Sequence, residues 1–186
     1  MVFDTNQWVS LEWFRLGIDV VDAPGGQFLL FSGPEPDSQW ERASRALVDA
    51  ARKIGVSEII SLGGVPMGVP HTRPVLITEH STDPESVAGN PVWLDRITVP
   101  GSFAGMVEFV AGSQGVDARG YVAHVPHYLA QGTYAPGQAA LIERVAEWTG
   151  LDLDVGSAEF EAEQTLIERR LELLRVTGTA STALLQ

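Results

Sequence analysis

The sequence contains no cysteine, only one lysine (Lys53) and no long apolar run. Without cysteine the chain has no disulfide, no thiolate zinc site and no cysteine nucleophile. Its apolar runs are far shorter than the ~20 residues needed to cross a bilayer. The first residues also lack the basic stretch and apolar run of a secretory signal. These absences predict a cytoplasmic protein.

The charge balance narrows the classes of partner. Twelve basic and 24 acidic residues give a formal net charge of −12 over 186 residues. Nucleic acids and anionic membranes are bound through clustered Lys and Arg, so neither is expected as a partner. The length and the 45% hydrophobic content suit one globular domain with a real core.

The first half of the chain predicts a hairpin followed by a helix. Two apolar runs, Gly17–Val21 and Gln27–Phe31, flank a Pro- and Gly-rich turn, which is typical of a β-hairpin. Asp37 is the predicted N-cap of the helix, and Gly55 is its predicted end. The helix has apolar residues at spacings of three and four: Trp40, Ala43, Leu47, Ala51 and Ile54.

Further strands and helices alternate through the second half. The predicted strands are Ser57–Leu62, Val75–His80 and Arg119–Val125. The predicted helices begin at Ser102 as N-cap and at Pro136, the latter ending at Gly150, and a last helix covers Ala158–Val176. This order predicts an α/β fold with a mixed, largely parallel sheet flanked by helices. We expect a single domain over residues 1–176 and a flexible tail over residues 177–186.

The first candidate site is the loop from Gly63 to Pro74. Gly63 and Gly64 would let backbone N–H groups approach a ligand closely. Arg73 could pair with a carboxylate or phosphate, while His71 and Thr72 could donate hydrogen bonds. The alternative is a tight crossover at the sheet edge, in which Arg73 pairs with an acidic side chain of the chain itself.

The second candidate site is the strand end that carries His127 and Tyr128. A metal shared by His124 and His127 is disfavoured, because a proline lies between them and no carboxylate is fixed nearby. An arrangement of Ser61 and His71 with an aspartate stays a minor alternative, since the serine lacks the preceding glycine of a nucleophile elbow. No dinucleotide or phosphate-loop motif is present, and no cofactor or metal is expected.

At these loops the chain resembles the proteasome assembly chaperone family of the second type, in its actinobacterial and archaeal branch. The resemblance covers the chain from residue 1 to about residue 155. Four stretches carry it in the family's order: Phe3-Asp4 with Trp8, Phe28–Glu41, Gly64–Met67 with Pro70–Pro74, and His124–Leu129 followed by a helix with Ala139, Ala140 and Leu141.

The resemblance has implications for fold and partners. It implies a core like that of nucleoside phosphorylases and related hydrolases, generally without their catalytic residues, and protein partners that include proteasome subunits. The chain departs from the family by lacking its usual N-terminal portion and by diverging after the last helix. Missing strands would leave an unpaired sheet edge, so a homo-oligomer is expected.

Two hypotheses about function follow. The leading one is a non-enzymatic binding or assembly protein, in which the loop around His71 and Arg73 contacts a subunit or a small anionic ligand. The alternative is a phosphorylase- or hydrolase-like enzyme that uses the same crevice. There Gly63, Gly64 and Arg73 would bind an anion, and His71 or His127 would act as general acid or base.

Overall fold

The computed structural model describes residues 2–10, 16–92 and 96–153. These residues form a mixed α/β arrangement. In chain order the elements are β1 (Val2–Asp4), β2 (Gln7–Ser10), β3 (Gly17–Ala23), β4 (Gly26–Ser32), α1 (Trp40–Lys53), β5 (Glu58–Met67), β6 (Ile77–Ser81), α2 (Phe103–Ser113), β7 (Asp117–Pro126) and α3 (Ala135–Thr149). Short 3₁₀ turns cover Glu85–Val87 and His127–Leu129. No described helix has the length and apolar character that crossing a bilayer requires.

Two antiparallel hairpins precede the first helix. The β3–β4 hairpin confirms the prediction, and its tight turn has Gly25 at φ 96°, a conformation that glycine adopts without steric cost. The β1–β2 hairpin was not predicted. Its strands are short, and Phe3 stacks edge-on against Trp8 with 4.9 Å between ring centroids.

A three-stranded sheet in the order β5-β7-β6 forms the centre of the described structure. β5 runs parallel to β7, and β6 runs antiparallel to it. Side chains alternate between the two faces of a sheet. One face meets α2 through Ser61 and His80, and the other meets α3 through Glu58 and Arg119. The sheet therefore lies between helices.

The apolar core lies where α1 and α2 pack on one face of this sheet. Ser102 caps α2 as predicted, because its Oγ accepts a hydrogen bond from Gly105 N at 3.1 Å. Trp40 of α1 meets Phe103 of α2 edge-on, with ring centroids 6.4 Å apart. The buried members of the core are Val48, Phe103, Val107, Val110, Ala111, Val116 and Ala118.

Three predictions of local structure need correction. Gly63 and Gly64 lie within β5 rather than in a loop, because the strand keeps its pairing with β7 as far as Met67. Asp37 does not cap α1; the N-cap is Gln39, at φ 59°, without a side-chain capping bond. Of the four pairings among the described strands only β5 with β7 is parallel, so this part of the chain does not form a largely parallel sheet.

The later elements follow the sequence pattern. Helix α3 has Pro136 in its first turn and ends at Gly150, whose φ of 72° suits a glycine at the end of a helix. The predicted strand before Pro126 is confirmed as β7. The helix predicted at Ala158–Val176 and the tail over residues 177–186 lie outside the described residues.

Candidate functional site

The two candidate loops meet beyond one end of the sheet. The backbone N–H of His71 donates to Tyr128 Oη at 3.0 Å, and His71 Nδ1 lies 2.8 Å from the same oxygen. The ring of His127 packs edge-on against that of Tyr128, with 5.3 Å between centroids. The Tyr128 hydroxyl therefore joins two loops that lie far apart in the sequence into one surface.

This surface, which we call the strand-end surface, comprises Pro70–Pro74 and His127–Leu129. Thr72 and Arg73 are exposed on it, and the Tyr128 side chain is 44% exposed. Within the described part of the chain the Arg73 guanidinium has no ion-pair partner. The predicted pairing of Arg73 with an acidic side chain of the chain itself is therefore not seen among the described residues.

Gly63 and Gly64 belong to a different feature. They line a cleft of about 420 Å³ between β5, β7 and the start of α3, together with Ala123, Tyr134 and Gly137 among others. His71, Thr72, Arg73, His127 and Tyr128 do not line this cleft. This cleft therefore contains the glycines of the enzyme hypothesis but not the side chains that the hypothesis assigned as anion ligand and general acid or base.

The geometry also shows which contacts the residues of the other chemical alternatives make. His124 Nε2 lies 2.8 Å from Thr78 Oγ1 in the sheet, and burial lowers the pKa of His124 below its usual 6.5. Ser61 donates its hydrogen bond to Glu108 and not to His71. Within the described ranges, no three His, Asp or Glu side chains are placed to hold one metal ion.

A polar row crosses the centre of the sheet on the α2 side, with Glu108 buried and His80 partly exposed. Ser61 of β5 and His80 of β6 lie on either side of Gly120 of β7, which is the Cα partner of both. The carboxylate of Glu108 on α2 spans this row. It accepts a hydrogen bond from Ser61 Oγ on one oxygen, and its other oxygen lies 2.7 Å from His80 Nε2.

The ion pair shifts the titration of both partners. The hydrogen bond to Glu108 raises the pKa of His80 above 6.5, against an opposing effect of burial, and the charges of Glu108 and Glu79 raise it further. Burial alone would raise the pKa of Glu108. The hydrogen bonds from His80 and Ser61 and the charge of His80 outweigh it, so the pKa of Glu108 lies below 4.5.

These directions predict a pH window for the stability that the pair contributes. A raised His80 pKa stabilises the fold below 6.5, and this contribution is lost as the pH rises through the folded-state pKa. The lowered Glu108 pKa contributes above 4.5 and is lost as the pH falls through its folded-state value. We therefore expect His80→Ala to lower the free energy of unfolding more at about pH 5.5 than at about pH 8.5.

Urea unfolding of the wild type and His80→Ala at both pH values measures this difference. Buried His124 has a lowered pKa and loses its contribution as the pH falls, which opposes the trend of His80 in the wild-type curve. Subtracting the variant from the wild type removes that opposing effect. A difference that is equal at both pH values, or larger at the alkaline one, would contradict the ion pair.

A second network lies on the opposite face of the sheet. Arg119 of β7 is 1% exposed and binds the carboxylates of Glu79 and Glu58, the latter at 3.4 Å. Its guanidinium carbon lies 3.6 Å from the ring centroid of Trp148, whose indole N–H donates to Glu58 Oε2 at 2.7 Å. Asn90 Nδ2 donates to the second oxygen of Glu79 at 3.0 Å. This network ties α3 to the sheet.

Sequence reasoning missed both networks, although each left a signal. Glu108 is the one charged residue of the largely apolar helix α2, and Arg119 is the third residue of β7, a strand that is buried along most of its length. A lone charge in an apolar element is rarely buried without a partner. The partners themselves are distant in sequence and could not be named from it.

Comparisons with known proteins agree with this fold. The sequence profile of the PAC2 family matches residues 1–174. A Mycobacterium tuberculosis protein of unknown function is 34% identical over 92% of this chain and 60% of its own, with a TM-score of 0.82. A Corynebacterium glutamicum protein of unknown function is 35% identical over 93% of this chain and 64% of its own, with a TM-score of 0.78.

A third similar structure is that of a protein related to proteasome-assembly chaperones. It is a proteasome-assembly chaperone homologue of Mycobacterium tuberculosis, 25% identical over 87% of this chain and 70% of its own, with a TM-score of 0.78. No curated protein sequence matches the chain significantly. The chain spans 60% and 64% of the first two relatives. On the match to its profile over residues 1–174, the chain belongs to the PAC2 family.

Proposed function

We propose that the chain is a non-enzymatic assembly protein that binds proteasome subunits. The observation that carries this proposal is the similarity to a proteasome-assembly chaperone homologue over 87% of the chain. An archaeal neighbour, a proteasome activator of Pyrococcus furiosus, shares the fold at 17% identity. The enzyme alternative has no comparable support, and the cleft that Gly63 and Gly64 line does not include His71, Arg73 or His127.

The strand-end surface is the proposed contact for a subunit. Tyr and Arg are enriched among the residues that contribute most to protein–protein binding. Tyr128 makes two hydrogen bonds with His71, one of them from the His71 backbone N–H, so its hydroxyl is positioned before a partner binds. Arg73, which has no ion-pair partner among the described residues, offers a cation on a chain with a net charge of −12. An acidic patch or a chain-terminal carboxylate of a subunit would complement it.

The same proposal extends to assembly, fold and location. We infer a homo-oligomer, because no described strand pairs with the outer edge of β5, and Leu62 on that strand is 49% exposed. The parallel β5–β7 pair between helices supports a phosphorylase- or hydrolase-like core within a single domain. A cytoplasmic location suits a proteasome partner.

Affinity capture with matched variants tests the proposed contact. Tagged wild type, Arg73→Ala and the control Arg45→Ala, which alters an exposed ion pair on α1, are used to capture proteins from lysate of the host. We expect wild type and control to retain proteasome α or β subunits, and Arg73→Ala to retain roughly tenfold less. Equal retention by all three would rule out the strand-end surface as the contact.

A further inference from the structure

The β3–β4 hairpin carries an exposed apolar face that the strand-end surface does not include. Directly opposite residues on paired strands share a face, as do residues two apart. The pairs Ile18–Phe31 and Val20–Leu29 therefore lie side by side on one face. Their exposed fractions are 45% and 36% for the first pair, and 60% and 38% for the second. We call these four side chains the hairpin face.

The hairpin is anchored at its turn rather than along this face. The Asp152 N–H donates to the Pro24 carbonyl at 2.9 Å. A Cβ placed on Gly25 would lie 3.2 Å from the Gly150 carbonyl, and one placed on Gly26 would lie 3.0 Å from the Leu151 side chain. The turn thus packs closely on the segment after α3, which holds the hairpin in place and leaves its four apolar side chains accessible.

The hairpin and the loop that follows it carry charges of one sign; Asp22 lies on the hairpin face, whereas Asp19, opposite Leu30, lies on the other face of the same hairpin. The next pair on the same face is Asp22–Gln27, joined by a hydrogen bond of 2.7 Å. Residues 17–37 contain four carboxylates and no Lys, Arg or His: Asp19, Asp22, Glu35 and Asp37. A second copy would present the same carboxylates, whereas a basic partner would be attracted to them.

We propose that the hairpin face docks a second protein that presents an apolar stripe bordered by Lys or Arg. Burial of Ile18, Val20, Leu29 and Phe31 would supply most of the affinity, since apolar area removed from water is the main favourable term in association. The carboxylates would speed the encounter and select a basic partner over an acidic one. This inference deepens the proposed function, on which it rests, by specifying the chemistry of the subunit surface.

A synthetic peptide of alternating Leu and Lys is the probe, and the same peptide with Glu in place of Lys is its control. Binding to the full chain is followed by fluorescence anisotropy. The apolar variant is Val20→Thr with Phe31→Thr, because Thr keeps the β propensity of the strands. Its control is Phe109→Ala, which removes an aromatic ring that is 75% exposed on α2.

A second pair of variants isolates the charges. Asp19→Asn with Asp22→Asn is compared with Asp49→Asn with Glu143→Gln, two exposed carboxylates on α1 and α3. Both variants change the net charge by the same amount, so general attraction between an acidic chain and a basic peptide affects them equally. Any further loss in the first variant comes from the position of the charges.

We expect the Leu/Lys peptide to lose at least about tenfold in affinity on the apolar variant, and about threefold on the Asp19 and Asp22 variant, against their controls. Equal binding to variants and controls would overturn the proposal, as would equal binding of the Leu/Glu peptide. If light scattering shows that the apolar variant dissociates a wild-type oligomer, a second copy occupies the face and the proposal fails.

The same variants separate this inference from the proposed function. Peptide binding that depends on the hairpin face, without capture of proteasome subunits by the wild type, would support the docking surface and refute the proteasome role. Subunit capture that is unchanged by Val20→Thr with Phe31→Thr would support the proteasome role and refute docking at the hairpin face.

Discussion

Replacing Arg119 with Met is expected to lower the free energy of unfolding by about 3 kcal/mol, because the change leaves two carboxylates near a buried apolar side chain. Glu58 and Glu79 both bind this guanidinium, and Trp148 packs over it at 3.6 Å. The two glutamate side chains are 24% and 23% exposed, so water relieves part of the penalty. For a chain of this length the melting temperature should fall by roughly 6 to 12 °C.

Two further variants, a control and a rescue, test this prediction. Arg45→Met breaks an exposed ion pair with Glu41 and should cost less than about 1 kcal/mol. Adding Glu58→Gln and Glu79→Gln to Arg119→Met removes the stranded charges and should recover part of the loss. Thermal and urea unfolding measure each step. An Arg119→Met protein as stable as Arg45→Met would show that the buried network does not hold α3 to the sheet.

Replacing Gly120 with Ala is expected to cost about 1 to 3 kcal/mol of unfolding free energy, since a new methyl group must enter a filled space. A Cβ at this position would overlap the imidazole of His80 and lie 3.0 Å from Glu108 Oε1. The imidazole is part of an ion pair and cannot move away without separating from Glu108. The pH dependence predicted for His80 should therefore weaken in the same variant.

Gly68→Ala is the matched control, because a Cβ there meets no atom within 4 Å. In a His80→Ala background the Gly120→Ala change should become markedly less costly, since the overlapping ring is gone. Urea unfolding of the four proteins in this cycle measures the coupling. A cost that is the same with and without the His80 ring would mean that Gly120 is required for another reason.

Local signals in the sequence predicted most of the described elements. The Pro- and Gly-rich turn specified the β3–β4 hairpin, Ser102 specified the start of α2, and Gly150 specified the end of α3. Each of these is a short-range effect of turn chemistry or capping, which a sequence shows directly. The contact between His71 and Tyr128 was not predicted, although both candidate loops were placed at strand ends.

The errors have physical causes that only the tertiary structure reveals. Gly63 and Gly64 looked like loop residues, yet pairing with β7 overrides their weak strand propensity. The Ser61–Glu108–His80 row needs α2 to cross the sheet above Gly120, and no local pattern fixes that crossing. The antiparallel direction of β6 likewise depends on how a long connection folds back.

The polar networks and the exposed surfaces have different roles in the protein. The two networks lie within the sheet and its helices, where they fix the relative positions of β5, β6, β7, α2 and α3. The strand-end surface and the hairpin face lie outside that frame and are exposed. This division, a packed interior with separate exposed surfaces, fits the assembly role that we propose.

The most direct test of the proposed function is binding of the purified chain to purified proteasome α and β subunits of its own host, measured by native mass spectrometry. An assembly protein should give a complex of fixed stoichiometry with unassembled subunits. That complex should weaken on Arg73→Ala and persist on Arg45→Ala. The absence of any complex with either subunit type, from a wild-type protein shown to be folded, would contradict the assembly role.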